Sequence, residues 1–426
     1  MASGRSSRLR IGIPDRWTIS PVWLAMGPAG DNRQHVIFQR YEGIRLIYLD
    51  HQASTTMHPA AIAATADAMA CHVANPHSSE HAAGWGAADA VDAARGEVAK
   101  ALCVDGDEIV FVSGATEADN LALLGCGIAP APGGQRVIVS ALEHKAVLGP
   151  SRELQRRGFE VVVAPVTTAG VVDLDALSTL IDSRTLLVSI MLVNNEIGTV
   201  QPVGEVARLC SATGALLHVD AAQALGWMPI DAHELGADMM SVSGHKMGGP
   251  KGVGALFVRR EIRQRLAPLM FGGEQEDGLR PGTLPVPLCV GLGAACGELP
   301  DAEEVGHWRA RTARLEAALL DKHSGAWING SGAERHPGCI SITLPGLDAE
   351  RLVARLQPGL AVSRGSACAS GIPEPSHVLR AIGLSAADCD ATVRISTGRF
   401  TTDFEIDEAM AALGEAIEAI RTDKHV

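Results

Sequence analysis

Lysine is scarce in this chain of 426 residues, which contains six lysines and thirty arginines. A lysine inside a distinctive motif is therefore less often an incidental surface charge. Net positive charge is also lacking, because 49 Asp and Glu outweigh 36 Lys and Arg and leave a net charge of -13. Such a surface disfavours the counterion release that drives binding to nucleic acids. We therefore expect no direct nucleic-acid partner.

Paired cysteines and membrane-length apolar runs are absent as well. The nine cysteines are widely scattered, with no CxxC pair and no Cys/His cluster at metal-ligand spacing. This pattern is typical of free thiols in a reducing compartment, so we expect a cytoplasmic protein without a metal site. No stretch reaches the roughly 18 consecutive apolar residues of a membrane helix, so we expect no membrane association.

The chain has 46% hydrophobic residues and the length of more than one domain. From Arg45 onward, short apolar runs alternate with helical patterns, which favours an α/β fold with a mainly parallel sheet. We expect a leader at 1–44, a large domain at 45–292 and a smaller α+β domain at 293–426. The predicted strands of the large domain are 108–112, 136–140, 160–164, 186–193, 216–219, 239–242 and 254–258.

The segment 241–252 reads SVSGHKMGGPKG and places Lys246 in a glycine-rich turn after an apolar run. An ammonium group in such a turn can be desolvated, which lowers its pKa and makes the amine a nucleophile toward an aldehyde cofactor. Lys246 is therefore a candidate Schiff-base lysine. A solvated loop lysine is the alternative, and the motif alone does not decide between them.

Two further motifs follow predicted strands, where ligands bind in open α/β sheets. The turn 113–117 (SGATE) has small residues before a helix, so its N–H groups could hold a phosphate. The alternative is an ordinary strand-to-helix turn in which Thr116 caps the helix. Asp220 ends a short apolar strand and could pair with a protonated pyridine nitrogen. A structural Asp that caps the next helix is the alternative.

Three more candidates complete the set. His144 stands where a strand meets a helix and could stack on a ring and move protons. Asn194 and Asn195 follow a very apolar strand and could bind a carboxylate, although Asn-rich turns often only satisfy backbone groups. Cys368 lies between small residues in a loop of the smaller domain, where a reactive thiol belongs.

In this order the motifs resemble the cysteine desulfurases of the IscS/NifS type, which are enzymes of the class V aminotransferase group dependent on pyridoxal 5'-phosphate. The resemblance runs from about residue 47 to residue 421. It rests on YLDHQAST at 48–55, NPHSS at 75–79, GATE at 114–117, EHK at 143–145, NNEIG at 194–198, DAAQ at 220–223, the Lys246 segment, RPGTLPV at 280–286, SRGSACASG at 363–371 and VRISTGR at 393–399.

The resemblance implies the fold type I architecture of pyridoxal-phosphate-dependent transferases and a role for each matched residue. Lys246 would bind the cofactor covalently and move the Cα proton, and His144 would stack on its ring as acid or base. The resemblance also implies that Asp220 contacts the pyridine nitrogen and Gln223 the ring oxygen, while Ala115 and Asn195 contact the cofactor elsewhere. The phosphate would be held by Thr116, Ser243 and His245, with Thr283 from the second subunit of a homodimer. Asn195 and Arg394 would bind the substrate carboxylate.

The implied reaction converts L-cysteine to L-alanine and leaves a persulfide on Cys368 for a sulfur-acceptor protein. The acceptor pathway could be iron–sulfur cluster assembly, tRNA thiolation or DNA phosphorothioation. A selenocysteine lyase or an aminotransferase of the same fold is the nearest alternative. A non-catalytic adaptor is disfavoured because Lys246, Asp220, His144, Cys368 and Arg394 are all present.

The chain departs from the family pattern in three places. The family usually has three glycines followed by His or Gln, Glu and Arg, whereas residues 272–277 read GGEQED, so Glu274 and Asp277 add acids to the phosphate-side loop. The family's Ala-Thr-Thr-Pro is Ala-Ser-Thr-Thr at 53–56. The sequence also stops at Val426 without the extension with which housekeeping members dock a scaffold, so we expect a dedicated sulfur route.

Overall fold

A computed structural model describes residues 39–41, 44–128, 134–364 and 375–422. In chain order its strands are β1 Gln39–Tyr41, β2 Ile44–Tyr48, β3 Ile109–Val112, β4 Arg136–Ser140, β5 Glu160–Ala164, β6 Thr185–Met191, β7 Leu216–Asp220, β8 Met239–Ser243, β9 Gly254–Val258, β10 Trp327–Ile328, β11 Cys339–Thr343, β12 Leu360–Ala361, β13 Ser363–Arg364 and β14 Thr392–Ser396.

The helices are α1 Pro59–Cys71, α2 Ala82–Leu102, α3 Ala115–Cys126, α4 Lys145–Arg156, α5 Leu174–Leu180, α6 Val203–Thr213, α7 Val286–Cys296, α8 Ala302–Lys322, α9 Ala349–Leu356, α10 His377–Ala381, α11 Ala386–Asp390 and α12 Asp403–Thr422. Short 3-10 helices lie at Gly106–Glu108, Gly244–Lys246, Arg260–Arg265 and Gln275–Gly278. Among the described residues, no helix combines the length and apolarity needed to cross a membrane.

The large sheet has seven strands in the order β3-β9-β8-β7-β6-β4-β5, which confirms the predicted α/β fold with a mainly parallel sheet. One strand departs from the parallel arrangement, because β9 runs antiparallel to both β8 and β3. A parallel crossover needs a dozen or more residues, usually including a helix. The connection 244–253 is too short for such a crossover, so the chain turns back beside β8 and leaves Lys246 in the turn.

Helices cover both faces of this sheet, as expected for buried parallel strands. Alternate residues of β3 show the two sides. Ile109 and Phe111 pack into a core with α2, α6 and α7, whereas Val110 and Val112 pack into a core with α3 and α4. The carboxyl ends of β3, β4, β6, β7 and β8 therefore lie at one edge of the sheet, and the turns that follow them are neighbours.

A second body is built on the antiparallel sheet β10-β11-β14-β13, with α8, α9 and α12 packed on it. Residues from near the start of the described chain join its core, since Ile47 and Leu49 pack in the same apolar cluster. In addition, β2 pairs in parallel with β12. The division of the chain into domains near residue 292 stays a prediction.

Candidate active site

Lys246 lies in the turn between β8 and β9, at the end of the 3-10 helix Gly244–Lys246. Its Nζ donates a hydrogen bond to the backbone carbonyl of Gln52. The stretch 52–58 runs beside this turn, because the Thr55 N–H donates to the His245 carbonyl at 2.9 Å and the His58 N–H donates to the Gly248 carbonyl at 2.8 Å. These bonds hold the lysine over the edge of the sheet.

The environment of Lys246 favours the neutral amine. Desolvation by burial and the nearby charge of Arg394 lower the pKa of Lys246 to about 8, while Asp220 and Asp50 oppose that change. A neutral amine is the nucleophilic form, so a useful fraction of this side chain is reactive near neutral pH. Of the two interpretations open from the sequence, the structure therefore favours the desolvated lysine over the solvated one.

Asp220 ends β7, the strand beside β8, and is 5% exposed. Its Oδ1 accepts the N–H of Ala222 at 2.9 Å, and no described residue donates a hydrogen bond to Oδ2. Burial raises the pKa of Asp220, whereas the Ala222 N–H, His144 and Lys246 act in the opposite direction. A buried carboxylate with an open oxygen is suited to a cationic ring nitrogen, which would offset its desolvation.

His144 follows β4 and is the N-cap of α4. Its Nδ1 accepts the Ala146 N–H at 3.1 Å, so the proton of the neutral ring is on Nε2. Burial lowers the pKa of His144, with Asp220 opposing and Lys246 reinforcing the change. The structure thus presents a neutral imidazole of defined tautomer next to the lysine and the aspartate.

The turn after β3 forms a small backbone cradle. Gly114 is the N-cap of α3 at a φ of 150°, and no side chain caps this helix. The N–H groups of Ala115 and Thr116, in the first turn, have no acceptor within the helix. An added Cβ at Gly254 would lie 2.7 Å from the Gly114 Cα, so these two segments of the chain approach too closely for any residue other than glycine at position 254. The cap expected of Thr116 in the alternative interpretation is absent, and the open N–H groups suit an anion.

Ser243, the last residue of β8, borders this cradle, and His245 follows in the 3-10 helix Gly244–Lys246. An added Cβ at Gly114 would lie 3.6 Å from the Ser243 Oγ, which places that hydroxyl beside the turn. His245 Nδ1 lies 3.2 Å from the Ser54 Oγ. Burial, together with the charges of Lys246 and Lys251, lowers the pKa of His245 to about 4, so its ring is neutral and available for hydrogen bonding.

Arg394 lies on β14 and brings the second body to the sheet edge. Its Nη2 donates to the Asp50 carboxylate at 2.8 Å and its Nη1 donates to the backbone carbonyl of Asn195 at 2.7 Å. The neighbouring Asn194 has a structural role, because its Oδ1 accepts the N–H groups of Glu196 and Ile197. The two amides predicted together thus divide: Asn194 holds the turn, and Asn195 contacts the arginine through its backbone.

Two site residues were missed by sequence reasoning, Asp50 and Gln52. The carbonyl of Gln52 accepts from Lys246 and also from the Gln223 Nε2, the latter at 2.8 Å. The only sequence signal for either residue was the position of both in the motif at 48–55, directly after the strand β2.

The acidic loop at 272–277 lies along the free edge of β3. Glu276 is 8% exposed and forms a bidentate ion pair with Arg95, at 2.6 and 2.9 Å. It also accepts the Phe111 N–H at 2.7 Å, while Arg95 donates to the Ile109 carbonyl at 2.8 Å. The exposed Asp277 pairs with Arg263. The contacts of Glu276 and Arg95 with the β3 backbone stabilise the strand that leads into the anion cradle.

Two predicted residues are not joined to this group. Thr283 is exposed in the loop before α7, and none of the hydrogen bonds among the described residues links it to the site. Cys368 lies outside the described residues, so its placement stays a prediction. The other predicted residues lie at the carboxyl edge of the large sheet or, for Arg394, face it from β14.

The chain is similar to known proteins in sequence and in overall structure. The family model for aminotransferase class-V matches residues 47–409. A cysteine desulfurase IscS of Rickettsia bellii is 41% identical over 382 residues, covering 88% of this chain and 92% of that protein. A solved NifS-like protein is similar with a TM-score of 0.81 and 34% identity over 88% of this chain and 99% of its own. SspA in complex with cysteine has a TM-score of 0.74 and 34% identity, over 83% of this chain and 99% of its own.

Proposed function

From the premise that this chain belongs to the cysteine desulfurases of the class-V aminotransferase family, we propose that it binds pyridoxal 5'-phosphate at Lys246 and transfers sulfur from L-cysteine to Cys368. The family is dependent on this cofactor. One observation carries the proposal for this chain: Lys246, Asp220 and His144 meet at one sheet edge, close enough for their charges to act on one another.

The residues present fit pyridoxal 5'-phosphate. The open oxygen of Asp220 matches a pyridine nitrogen, and the N–H groups of Ala115 and Thr116 match a phosphate, with the Ser243 hydroxyl beside them. The neutral ring of His245 is assigned to the same phosphate by the family resemblance. We assign Gln223 to the ring oxygen and Asn195 to a neighbouring contact, as the family resemblance implies. When bound, this cofactor acts as an electron sink for the bonds at the substrate's α-carbon.

Each side chain then has a task derived from its surroundings. Lys246, whose lowered pKa makes the neutral amine accessible near neutral pH, attaches the cofactor and afterwards accepts and returns the Cα proton. His144 keeps its Nδ1 on Ala146, so its Nε2–H is the atom that gives a proton or holds an oxygen. Asp220 supplies the negative charge that keeps the ring nitrogen protonated.

Arg394 and Asn195 receive the substrate carboxylate. The Nε of Arg394 is buried and has no hydrogen-bond partner among the described residues, so this N–H is free for an incoming carboxylate oxygen. Asp50 and the Asn195 carbonyl fix the plane of the guanidinium beforehand. A charge-assisted bond in this buried place orients L-cysteine with its α-carbon toward Lys246.

Cys368 completes the reaction as the nucleophile. Its thiolate attacks the substrate sulfur, the carbon–sulfur bond breaks, and a proton returned to the substrate carbon gives L-alanine. The balance is one L-cysteine and one thiol in, one L-alanine and one persulfide out. The cysteines among the described residues are all unpaired, which agrees with a reducing location, and we propose the cytoplasm.

We further propose a homodimer that passes its sulfur to an acceptor protein. Exposed apolar side chains are available to such a dimer, since Phe271 is 89% exposed and Val73 is 86% exposed, with Trp85, Met69 and Met270 also exposed. Apolar groups of this kind mark a protein interface where they form a contiguous patch. In such a dimer the exposed Thr283 would reach the phosphate of the partner's site. The acceptor could belong to iron–sulfur cluster assembly, tRNA thiolation or DNA phosphorothioation.

The deciding experiment measures L-alanine release from L-cysteine with a thiol reductant, using wild type, Cys368→Ala and Cys71→Ala. Cys71 is an exposed thiol and is the matched control. We expect wild type and Cys71→Ala to form alanine at equal rates, while Cys368→Ala keeps the cofactor colour but loses more than a hundredfold in rate. Equal rates in all three would assign the nucleophile elsewhere, and no alanine from cofactor-loaded wild type would refute the proposed function.

A further inference from the structure

A short hydrogen bond joins two buried residues that are 180 positions apart in the sequence. The Ser376 Oγ donates to the Glu196 Oε2 at 2.5 Å. Glu196 is 6% exposed and Ser376 is 4% exposed. The same Oγ accepts the Leu379 N–H at 3.2 Å, so Ser376 caps α10 while it binds the carboxylate. The start of α10 is therefore attached to the turn that follows β6.

Further contacts hold α10 in the same place. The Nε2–H of His377 donates to the Glu143 carbonyl at 2.9 Å. Apolar residues of the helix and of the sheet-edge turns form one buried cluster: Val378, Leu379 and Ile382 with Leu142, Met191 and Ile197. The turns involved are those that carry His144 and Asn195. The helix is thus docked directly on the backbone of the candidate active site.

The described residues on either side of residues 365–374, the Cys368 stretch, lie next to the substrate site. Before it, Ser363 of β13 pairs with Arg394 of β14. After it, Ser376 binds Glu196, whose neighbour Asn195 accepts the Arg394 hydrogen bond at 2.7 Å. The covalent chain makes the reach of the Cys368 thiol depend on where these flanks are fixed.

The charges around Glu196 tie this bond to the substrate site. Burial raises the pKa of Glu196 to about 7, while the Ser376 hydroxyl, Arg394 on β14 and Lys145 on α4 oppose the increase. Cys389 of α11 also lies close enough to respond to its charge, and His377 and the Glu143 backbone adjoin from α10 and the β4 turn. Protonation of this carboxylate as the pH falls through about 7 removes the negative charge that strengthens the bond from Ser376.

We propose that Glu196 and Ser376 are positioning residues for sulfur transfer: their hydrogen bond fixes the end of the Cys368 stretch against the turn that holds the substrate-binding arginine. This inference rests on the proposed function. The two residues act through the placement of the nucleophile, so they affect the transfer step more than cofactor binding or substrate affinity. A bond that only stabilised the fold would lower the melting temperature without this selectivity.

The test compares Ser376→Ala with Ser385→Ala in the full-length, cofactor-loaded protein. Ser385 is the matched control because it also caps a short helix and also binds a carboxylate, that of Asp388 at 2.6 Å, but is exposed and takes no part in the bond to Glu196. We measure kcat and KM for L-alanine release, the cofactor absorbance, and the alkylation rate of Cys368 at the peptide level. Ser376→Ala should lower kcat about tenfold while KM and cofactor content stay within about twofold of wild type. The alkylation rate of Cys368 should also change in this variant. Ser385→Ala should match wild type in every measurement.

Glu196→Gln supplies a second, milder variant that preserves size. It should lower kcat about threefold and remove the loss of activity that we expect of wild type as the pH falls through about 7. The inference is overturned if Ser376→Ala keeps full kcat, if KM and cofactor content collapse together with kcat, or if Glu196→Gln retains the wild-type pH profile. Failure of wild type to form alanine would instead refute the proposed function, and the alkylation rates of Cys368 would still report on the anchor.

Discussion

Arg394 and Asp50 form an ion pair at 2.8 Å that joins β14 to the first turn after β2. The pair fixes the guanidinium while its Nε–H stays without a partner among the described residues. The carboxylate of Asp50 thus occupies Nη2 and leaves the Nε–H for a ligand. A planar guanidinium held in this way recognises a carboxylate by direction as well as by charge.

Arg394→Lys should therefore weaken substrate binding selectively. A lysine retains the charge but cannot keep the contacts to Asp50 and Asn195 and also present an oriented N–H. We expect KM for L-cysteine to rise by about tenfold to a hundredfold, with the cofactor absorbance unchanged. Steady-state kinetics provide the measurement, and Arg399→Lys, which alters an arginine paired with Glu304 instead, provides the control. An unchanged KM would mean that another cation receives the carboxylate.

Lys246→Ala should abolish covalent attachment of the cofactor, whereas Lys251→Ala should not. Both lysines lie in the connection between β8 and β9, but Lys251 is exposed and Lys246 contacts the Gln52 carbonyl over the sheet edge. We expect more than a thousandfold loss of activity for the first variant and less than twofold for the second. Mass spectrometry after borohydride reduction shows which lysine carries the cofactor. Labelling at Lys251 would contradict the assignment.

The rate at which cofactor-free protein takes up pyridoxal 5'-phosphate should level off above about pH 8. The pKa of Lys246 is lowered to about 8, so the reactive neutral amine grows about tenfold between pH 7 and pH 9 and then saturates. A solvated lysine would instead keep gaining tenfold per pH unit up to about 10. Stopped-flow absorbance measures the rate. Arg394→Gln removes a cation that depresses this pKa, so the midpoint should shift upward; an unshifted midpoint would remove Arg394 as a cause.

Glu276→Gln should destabilise the protein by about 3 kcal/mol, because it breaks a buried ion pair and leaves Arg95 without its carboxylate. Asp277→Asn is the matched control. That side chain is exposed, and asparagine tolerates the backbone φ of 53° at this position. We expect a change within about 0.5 kcal/mol for the control. Urea unfolding of the two variants gives both values, and equal effects would show that the loop is held by other contacts.

The residues that sequence analysis located are those that directly follow an apolar strand. Lys246, Asp220 and His144 each come at the end of a strand, and the common edge of a parallel sheet brings such positions together. Their pKa changes could not be predicted, since these depend on burial and on neighbours distant in sequence. The hydrophobic pattern of the sequence does not indicate Asp50, Gln52 or the bond between Glu196 and Ser376. Their contacts involve backbone groups or side chains that are distant in the sequence.

The direction of β9 shows a different reason for a limit. An apolar strand reads the same in either direction, so its residues predicted a strand but not its orientation. The brevity of the connection 244–253 decides the orientation instead. Similarly, the sequence showed Glu274 and Asp277 as departures from the family pattern but gave no sign that the intervening Glu276 pairs with Arg95. That pairing depends on β3 being the outer strand of the sheet, which only the strand order defines.

The pairing of Asp50 with Arg394 has a consequence for protein synthesis. Ribosomes release His144, Asp220 and Lys246 well before Arg394, and domains generally fold as their residues emerge. A growing chain can therefore complete the sheet edge that carries these three residues while Asp50 still lacks its guanidinium partner. Among the described site residues, the place for the amino-acid carboxylate is therefore assembled last, so substrate recognition begins only after Arg394 has left the ribosome.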